Sequence, residues 1–220
     1  MKYDLAIFDL DGTILDTLDD LTDSVNVALR KNALPARTRH EIRGFVGNGM
    51  RLLVTRSVYG CDAPAMPNTA LLERVHADFT AHYQAHCKDK TKPYPHIIDV
   101  LCTLRAAGVK TAVISNKADY GVQLLIGEYF PGLFTLAAGE RDGIAKKPAP
   151  DAIFAVARTL GISMDRTVYI GDSEVDVQTA QNAGIPCLSV AWGFKTTAFL
   201  RAHGATTIIS GPQELVGHIV

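Results

Sequence analysis

Short apolar runs alternate along this chain with longer amphipathic stretches. The runs are Leu5–Leu10, Thr111–Ser115, Leu133–Ala138, Thr167–Ile170, Pro186–Val190 and Thr206–Ile209, and most give way to Gly, Asp, Ser or Asn. They are rich in β-branched residues and nearly continuous in apolar character, as strands buried on both faces should be. Helix-sized segments such as Pro150–Leu160 and Glu174–Ala183 separate the later runs. This alternation predicts an α/β fold, a parallel sheet covered by helices on both sides.

One connection breaks the rhythm. About a hundred residues separate the first run from the second, far more than a crossover helix needs. Leu18, Leu21, Val25 and Leu29 recur there at helical spacing along one face. His40–Val46, Met50–Tyr59 and Ala70–His86 are further expected helices, and Pro93 and Pro95 stiffen the return. The segment 16–90 is therefore expected to be a helical domain inserted into a core made of 1–15 and 91–220. It leaves at the carboxyl end of the first strand, where open α/β sheets bind ligands, so it should act as a cap. Hinge motion is expected near Thr13–Thr17 and Lys88–Pro95.

Composition narrows the class. The 220 residues suit one large domain, or one with an insertion, at roughly 150 residues per domain. Apolar residues at 47% and charged residues at 20% allow a sizeable core and exclude wholesale disorder. A net charge of -1, with no basic run, gives no footprint for nucleic acid. No apolar stretch approaches the roughly 18 residues of a membrane span, and the opening MKYDLAIFDLDGTILDT turns acidic early without a signal-peptide pattern. Cys61, Cys87, Cys102 and Cys187 form no CxxC. They read as reduced thiols of a cytoplasmic protein, mostly buried as small hydrophobes.

The chemistry gathers at strand ends. The first strand closes on Asp9-Leu10-Asp11-Gly12-Thr13. If the backbone stays extended, Asp9 and Asp11 point the same way. Two carboxylates about 4 Å apart repel by about 4 kcal/mol at an effective dielectric near 20, so the pair needs a cation, a shared proton or both. A solvated acidic turn is the plain alternative. At background usage, D-x-D-G-T arises by chance in roughly a few chains per thousand of this length. The second strand closes on Ser115-Asn116, either an N-cap or a hydroxyl and amides that hold phosphate oxygens. Lys146-Lys147-Pro148 follows the third strand. It reads either as a solvated loop or as one ammonium at the site; Lys147, directly before the proline, is the choice, with Lys146 the alternative. The fourth strand closes on Gly171-Asp172-Ser173-Glu174-Val175-Asp176. Asp172 can meet the first acid pair there, while Asp176 has capping-box spacing from Ser173 and serves either the helix start or a metal.

These residues resemble the motifs of the haloacid dehalogenase superfamily, and within it the phosphoglycolate phosphatase-like branch. Asp9-Leu10-Asp11-Gly12-Thr13 fits the first motif, Ser115-Asn116-Lys117 the second, Lys147-Pro148 the third and Gly171–Asp176 the fourth. Val46-Gly47-Asn48-Gly49 is similar to the branch's cap loop. The resemblance spans nearly the whole chain. It implies a Rossmann-like three-layer core with an inserted α-helical cap. It also implies an Mg2+-dependent phosphatase of a small phosphorylated metabolite, 2-phosphoglycolate first, working as a monomer or homodimer. In that resemblance Asp9 is the nucleophile and Asp11 the acid and base. Ser115 and Lys147 hold the phosphoryl group, and Gly47, Asn48 and Asn116 add substrate contacts. Magnesium would sit on Asp9, the Asp11 carbonyl and Asp172, with Asp176 steadying that shell. Three carboxylates and a phosphate dianion carry about −5; Lys147 and a divalent ion reduce that to about −2.

Other activities share this core: β-phosphoglucomutase, pyrophosphatase, nucleotidase and phosphonoacetaldehyde hydrolase differ mainly in the cap. A phospho-acceptor signalling domain is the reading from another class. It is disfavoured because the third strand closes on Ala137-Ala138-Gly139 without an acceptor Asp. His82 and His86 have metal-binding spacing, but neither a following Glu nor a third ligand accompanies them, so exposed helix histidines are expected. Trp192-Gly193-Phe194 reads as loop packing or as a wall of the site.

Overall fold

The computed structural model describes residues 1–60 and 64–220; Cys61, read above as a thiol, lies outside them. In chain order the first elements are the strands β1 (Leu5–Phe8) and β2 (Leu15–Asp16). The helices α1 (Leu18–Lys31), α2 (Arg39–Phe45), α3 (Met50–Tyr59) and α4 (Thr69–His86) come next. Then follow β3 (Lys92–Pro93), α5 (Ile97–Ala106), β4 (Lys110–Ala118), α6 (Asp119–Tyr129), β5 (Leu136–Glu140) and α7 (Asp151–Leu160). The chain ends with β6 (Thr167–Gly171), α8 (Glu174–Ala183), β7 (Cys187–Val190), α9 (Thr197–Ala202), β8 (Thr207–Ile209) and α10 (Glu214–Ile219). It divides into two compact units, Met1–Asp16 with Pro93–Val220, and Thr17–Lys92.

In the first unit, β5-β4-β1-β6-β7-β8 make one six-stranded parallel sheet. β1 is buried throughout and lies between β4 and β6. Strand alternation places Leu5 and Ile7 on one face, packed with Ile114, Ile153, Tyr169 and Ala180. Phe8 turns to the other face, where Phe134 meets it edge-on at 6.0 Å. Full burial of each such side chain stabilises by about 1.5–3 kcal/mol. Glycines end the two helices beside this core: Gly161 after α7 and Gly184 after α8 take the left-handed conformation that closes a helix.

In the helical unit, the face expected for α1 is the buried one: Leu18, Leu21, Val25 and Leu29 are all in the core. α4 contributes Val75, Phe79 and Tyr83, the last two rings stacking at 5.5 Å. Thr38 and Glu41 close a capping box at the start of α2. Gly47 and Asn48 belong to this unit, in the turn between α2 and α3. Gly47 has φ +122, which favours glycine, and Asn48 Oδ1 accepts from Arg56 at 3.2 Å. The carboxylate of Asp20, buried in α1, accepts the backbone N–H of Lys90 at 3.0 Å and of Thr91 at 2.8 Å. Asp20→Ala strands those donors and should cost about 1–3 kcal/mol. A thermal melt reads this, and an unchanged midpoint would show that the clasp contributes nothing.

The histidine pair is occupied locally. His82 Nδ1 lies 2.9 Å from Ser24 Oγ and His86 Nδ1 2.8 Å from Asp89, with the two rings stacked at 4.3 Å. The thiols depart from the sequence expectation: Cys87 is buried, Cys187 partly so, but Cys102 is exposed, because it falls on the outer face of α5. Burial pushes the Cys187 thiol up to about 12. Among the described residues no helix is long and apolar enough to cross a membrane.

Candidate active site

Strand order determines where the chemistry can be. From β1 the sheet grows to one side through β4 and β5, then to the other through β6, β7 and β8. Such a reversal opens a crevice at the carboxyl ends of the strands, here beside β1 and β6. Asp9 directly follows β1, and its N–H still bonds Ile170 O of β6 at 2.9 Å. Asp172 directly follows β6. Asp9, Asp172 and Asp176 each present a carboxylate oxygen within 4.8 Å of the others, all three residues buried.

Lys147 is the counter-charge. Its ammonium lies 2.9 Å from Asp9 Oδ1 and 2.7 Å from Asp176 Oδ1, and it donates to the Tyr169 hydroxyl at 3.1 Å. Burial works against that charge, but the carboxylates of Asp176 and Asp9 outweigh it and hold the Lys147 pKa well above its usual value. Of the two lysines it is Lys147 that lies at the acids; Lys146 is exposed, 3.7 Å from Glu140. Burial likewise pushes Asp9 up to about 7, aided by Asp176 and Asp11 and opposed by Lys147. Asp172 is raised too, by burial first and then by Asp176 and Asp9.

Asp176 serves the helix start and the cluster together. Its Oδ2 accepts the backbone N–H of Asp172 and Ser173 at 3.1 and 3.0 Å and the Ser173 hydroxyl at 2.6 Å. Oδ1 takes Lys147 and the Tyr169 hydroxyl. A carboxylate has about four lone-pair sites, so these donors leave Asp176 little capacity for a metal. Close backbone approach is built in. A Cβ on Gly171 would stand 2.3 Å from Asp176, one on Gly12 2.4 Å from Asp172 Oδ2, and one on Gly193 2.2 Å from Asp172 Cβ.

The second motif lies in an irregular stretch of β4. Between Ile114 and Ala118 its register against β5 shifts, four residues advancing on β4 against two on β5. Bulges of this kind re-aim side chains beside sites. Ser115 is therefore not a helix cap; the strand runs on to Ala118, and Ala118 holds the N-cap position of α6. The side-chain amide of Asn116, expected on substrate, donates to Lys147 O at 3.0 Å and straps the lysine loop. Lys117 is buried, and its ammonium meets Asp11 Oδ1 and Oδ2, both at 3.0 Å.

The donor set fits a hard divalent cation. Asp9 and Asp172 are buried carboxylates whose shared charge is costly, and oxygen donors of this kind suit magnesium. Asp172 is held in place by Phe194 N–H at 2.6 Å and Thr13 Oγ1 at 3.4 Å, while Trp192 Nε1 donates to Thr13 O at 3.0 Å. The Trp192-Gly193-Phe194 loop thus bears directly on the acid cluster. Sequence reasoning offered the loop Trp192-Gly193-Phe194 as packing or as a wall of the site, without the contacts to Asp172, and gave Tyr169 no role. Tyr169 carried one faint signal, a hydroxyl inside an apolar strand. The Phe194 contact is a backbone N–H, which residue identity does not reveal.

The pattern that defines the haloacid dehalogenase-like hydrolases matches residues 6–190. A phosphoglycolate phosphatase of Pseudomonas putida is 32% identical over 217 residues, covering 96% of this chain and 78% of that protein. One from Mesorhizobium japonicum is 32% identical over 213 residues, covering 96% and 92%. A crystal structure from Lactobacillus delbrueckii subsp. bulgaricus, provisionally assigned as a phosphoglycolate phosphatase, superposes with a TM-score of 0.96. Its sequence identity is 41%, over 100% of this chain and 99% of that one.

Proposed function

The chain belongs to the haloacid dehalogenase-like hydrolases and is a phosphatase of that family; from that premise we propose that it is magnesium-dependent and hydrolyses a small phosphorylated metabolite, 2-phosphoglycolate first, through an aspartyl-phosphate. The observation that carries this reading is the buried Asp9 at the sheet's reversal point, paired with Lys147 and within reach of Asp172.

Among the described residues, the donors to Asp9 all meet Oδ1: Leu10 N–H at 2.7 Å and Lys147 at 2.9 Å. That leaves Oδ2 to attack phosphorus in line. The phosphorus–oxygen ester bond breaks, Asp11 protonates the departing alkoxide, and the phosphoryl group rests on Asp9. Asp11 then takes a proton from water, whose oxygen attacks phosphorus and releases phosphate from Asp9. Ser115 and Lys147 hold phosphoryl oxygens while charge develops on them. Asp9, Asp172 and the Asp11 carbonyl would hold magnesium, which would supply positive charge to offset that of the phosphoryl group. The helical unit acts in this reading as a cap that excludes bulk water, with Gly47 and Asn48 touching substrate.

A screen of a few dozen phosphometabolites with magnesium tests the substrate. It should include phosphoglycolate, hexose phosphates, nucleotides and pyrophosphate. Phosphoglycolate should show the highest kcat/KM, and chelation of the metal should remove activity. A preference for pyrophosphate or a hexose phosphate would overturn the substrate, and undiminished turnover in excess chelator would overturn the metal. Asp11→Ala should lower kcat/KM for alkyl phosphates by about 10²–10⁴-fold and for p-nitrophenyl phosphate far less, since nitrophenolate leaves without a proton. Equal losses on both would argue against the acid role.

A further inference from the structure

Two buried lysines stand in this site, and the proposed chemistry uses one. Lys147 is committed to Asp9 and Asp176. Lys117 meets a different carboxylate, reaching both oxygens of Asp11 at 3.0 Å. Its side chain is 3% exposed, against 13% for that of Asp11. An ion pair so enclosed is costly to desolvate, and apolar side chains in place of both partners are often as stable or more so. Stability alone is therefore a weak reason for a lysine here.

The local backbone explains how Lys117 gets there. Ser115, Asn116 and Lys117 lie where the register of β4 against β5 shifts, and all three are buried. The Lys117 N–H donates to Ser115 Oγ at 3.3 Å, so the same peptide touches the expected phosphate-holding hydroxyl. Gly121 of α6 lies against the lysine stem; a Cβ there would stand 3.4 Å from Lys117 Cδ. Asp11, by contrast, follows a residue beyond the regular part of β1 and precedes Gly12 at φ +85. Its backbone leaves the sheet at this point, and Lys117 reaches its carboxylate from a neighbouring strand. Contact with both oxygens sets the position of the carboxylate and the plane it lies in.

We propose that Lys117 is a positioning residue, holding the Asp11 carboxylate where it meets the leaving oxygen of the substrate. The inference rests on the phosphatase reading above, in which Asp11 moves the protons. It assigns Lys117 no contact with substrate.

The test compares wild type, Lys117→Met, Lys117→Gln, Asp11→Asn and the Lys117→Met/Asp11→Asn double variant. Each is assayed with magnesium on the best alkyl phosphate and on p-nitrophenyl phosphate. Misplacing a catalytic group by about 1 Å can cost about 10²-fold. Lys117→Met should therefore lower kcat/KM on the alkyl phosphate by about that factor and on the aryl phosphate by only a few-fold, with alkyl KM nearly unchanged. The aryl ester should still phosphorylate Asp9 and then stall, because activation of water also needs Asp11. Stopped flow should then show a burst of nitrophenolate near one per enzyme. In the Asp11→Asn background the Lys117→Met effect should vanish, as groups acting as a unit are not additive. Lys117→Gln keeps an N–H donor of similar reach and should fall between wild type and Lys117→Met. If Lys117→Met does not fold, Lys117→Gln carries the same comparison. Equal losses on both esters without a burst, additive losses in the double variant, or a raised KM alone would overturn the proposal. A gain in activity would also overturn it, since Lys117 would then be holding Asp11 away from its work. Wild-type protein inactive on every phosphomonoester would instead overturn the phosphatase reading.

Discussion

Asp9→Asn should lower turnover by about 10⁴-fold or more and leave the fold in place, since removal of an attacking group is among the largest single losses an enzyme shows. Asparagine keeps the shape of the side chain and an oxygen that can accept from Leu10 N–H, as Asp9 Oδ1 does at 2.7 Å. What it loses is the anionic oxygen that bonds to phosphorus. The buried carboxylate is also under electrostatic stress, its pKa raised to about 7 by burial, so its neutral replacement removes a costly charge. The thermal midpoint should therefore stay level or rise while turnover disappears. Steady-state rates on the best substrate and a melt on the same sample check both halves. Near-normal turnover would remove Asp9 from its proposed role.

Lys147→Met should abolish turnover and also destabilise the chain. Here the two effects run together, because Lys147 supports a phosphoryl oxygen in the proposed reaction and neutralises Asp9 and Asp176 in the resting structure. Breaking a buried ion pair by removing one partner costs about 3–5 kcal/mol, since the other charge is left unpaired. For a chain of this size that is a fall of about 6–20 °C in Tm at ~2–4 °C per kcal/mol. Adding Asp176→Asn should return part of that stability and none of the activity. The variant Lys146→Met should change neither, because Lys146 is exposed and an exposed ion pair such as that with Glu140 contributes little. A Lys147→Met protein that melts like wild type would contradict the electrostatic account.

Much of this site was legible because parallel sheets deliver their strand ends to one edge. Asp9, Ser115 and Asp172 stand where apolar runs close and Lys147 in the loop after the third run, and all four are buried. The helical insertion was legible from length, since Leu18, Leu21, Val25 and Leu29 keep a helical period where only a crossover was needed. Asn116 shows the limit. Its type suits a polar contact, but nothing in it reveals the bond its amide makes to Lys147 O beside the register shift of β4. Bulges depend on pairing between distant strands, so no window of sequence displays them. Lys117 shows the same limit from the other side: it stood in the second motif without a role until its distance to Asp11 was known.

Residue order alone determined the fold class, the helical insertion and which acids end which strands, because periodicity and turn chemistry are local properties. It also left two lysines and several meanings for Asp176. Tertiary structure chose Lys147 over Lys146, saturated Asp176 with donors, gave Lys117 to Asp11 and brought Gly193 and Phe194 N–H against Asp172. Those outcomes rest on which groups are buried beside which, across 22 residues of chain for Phe194 and Asp172 and 106 for Lys117 and Asp11. Coulomb energy inside a protein depends on distance and burial, and neither is a property of neighbours in sequence.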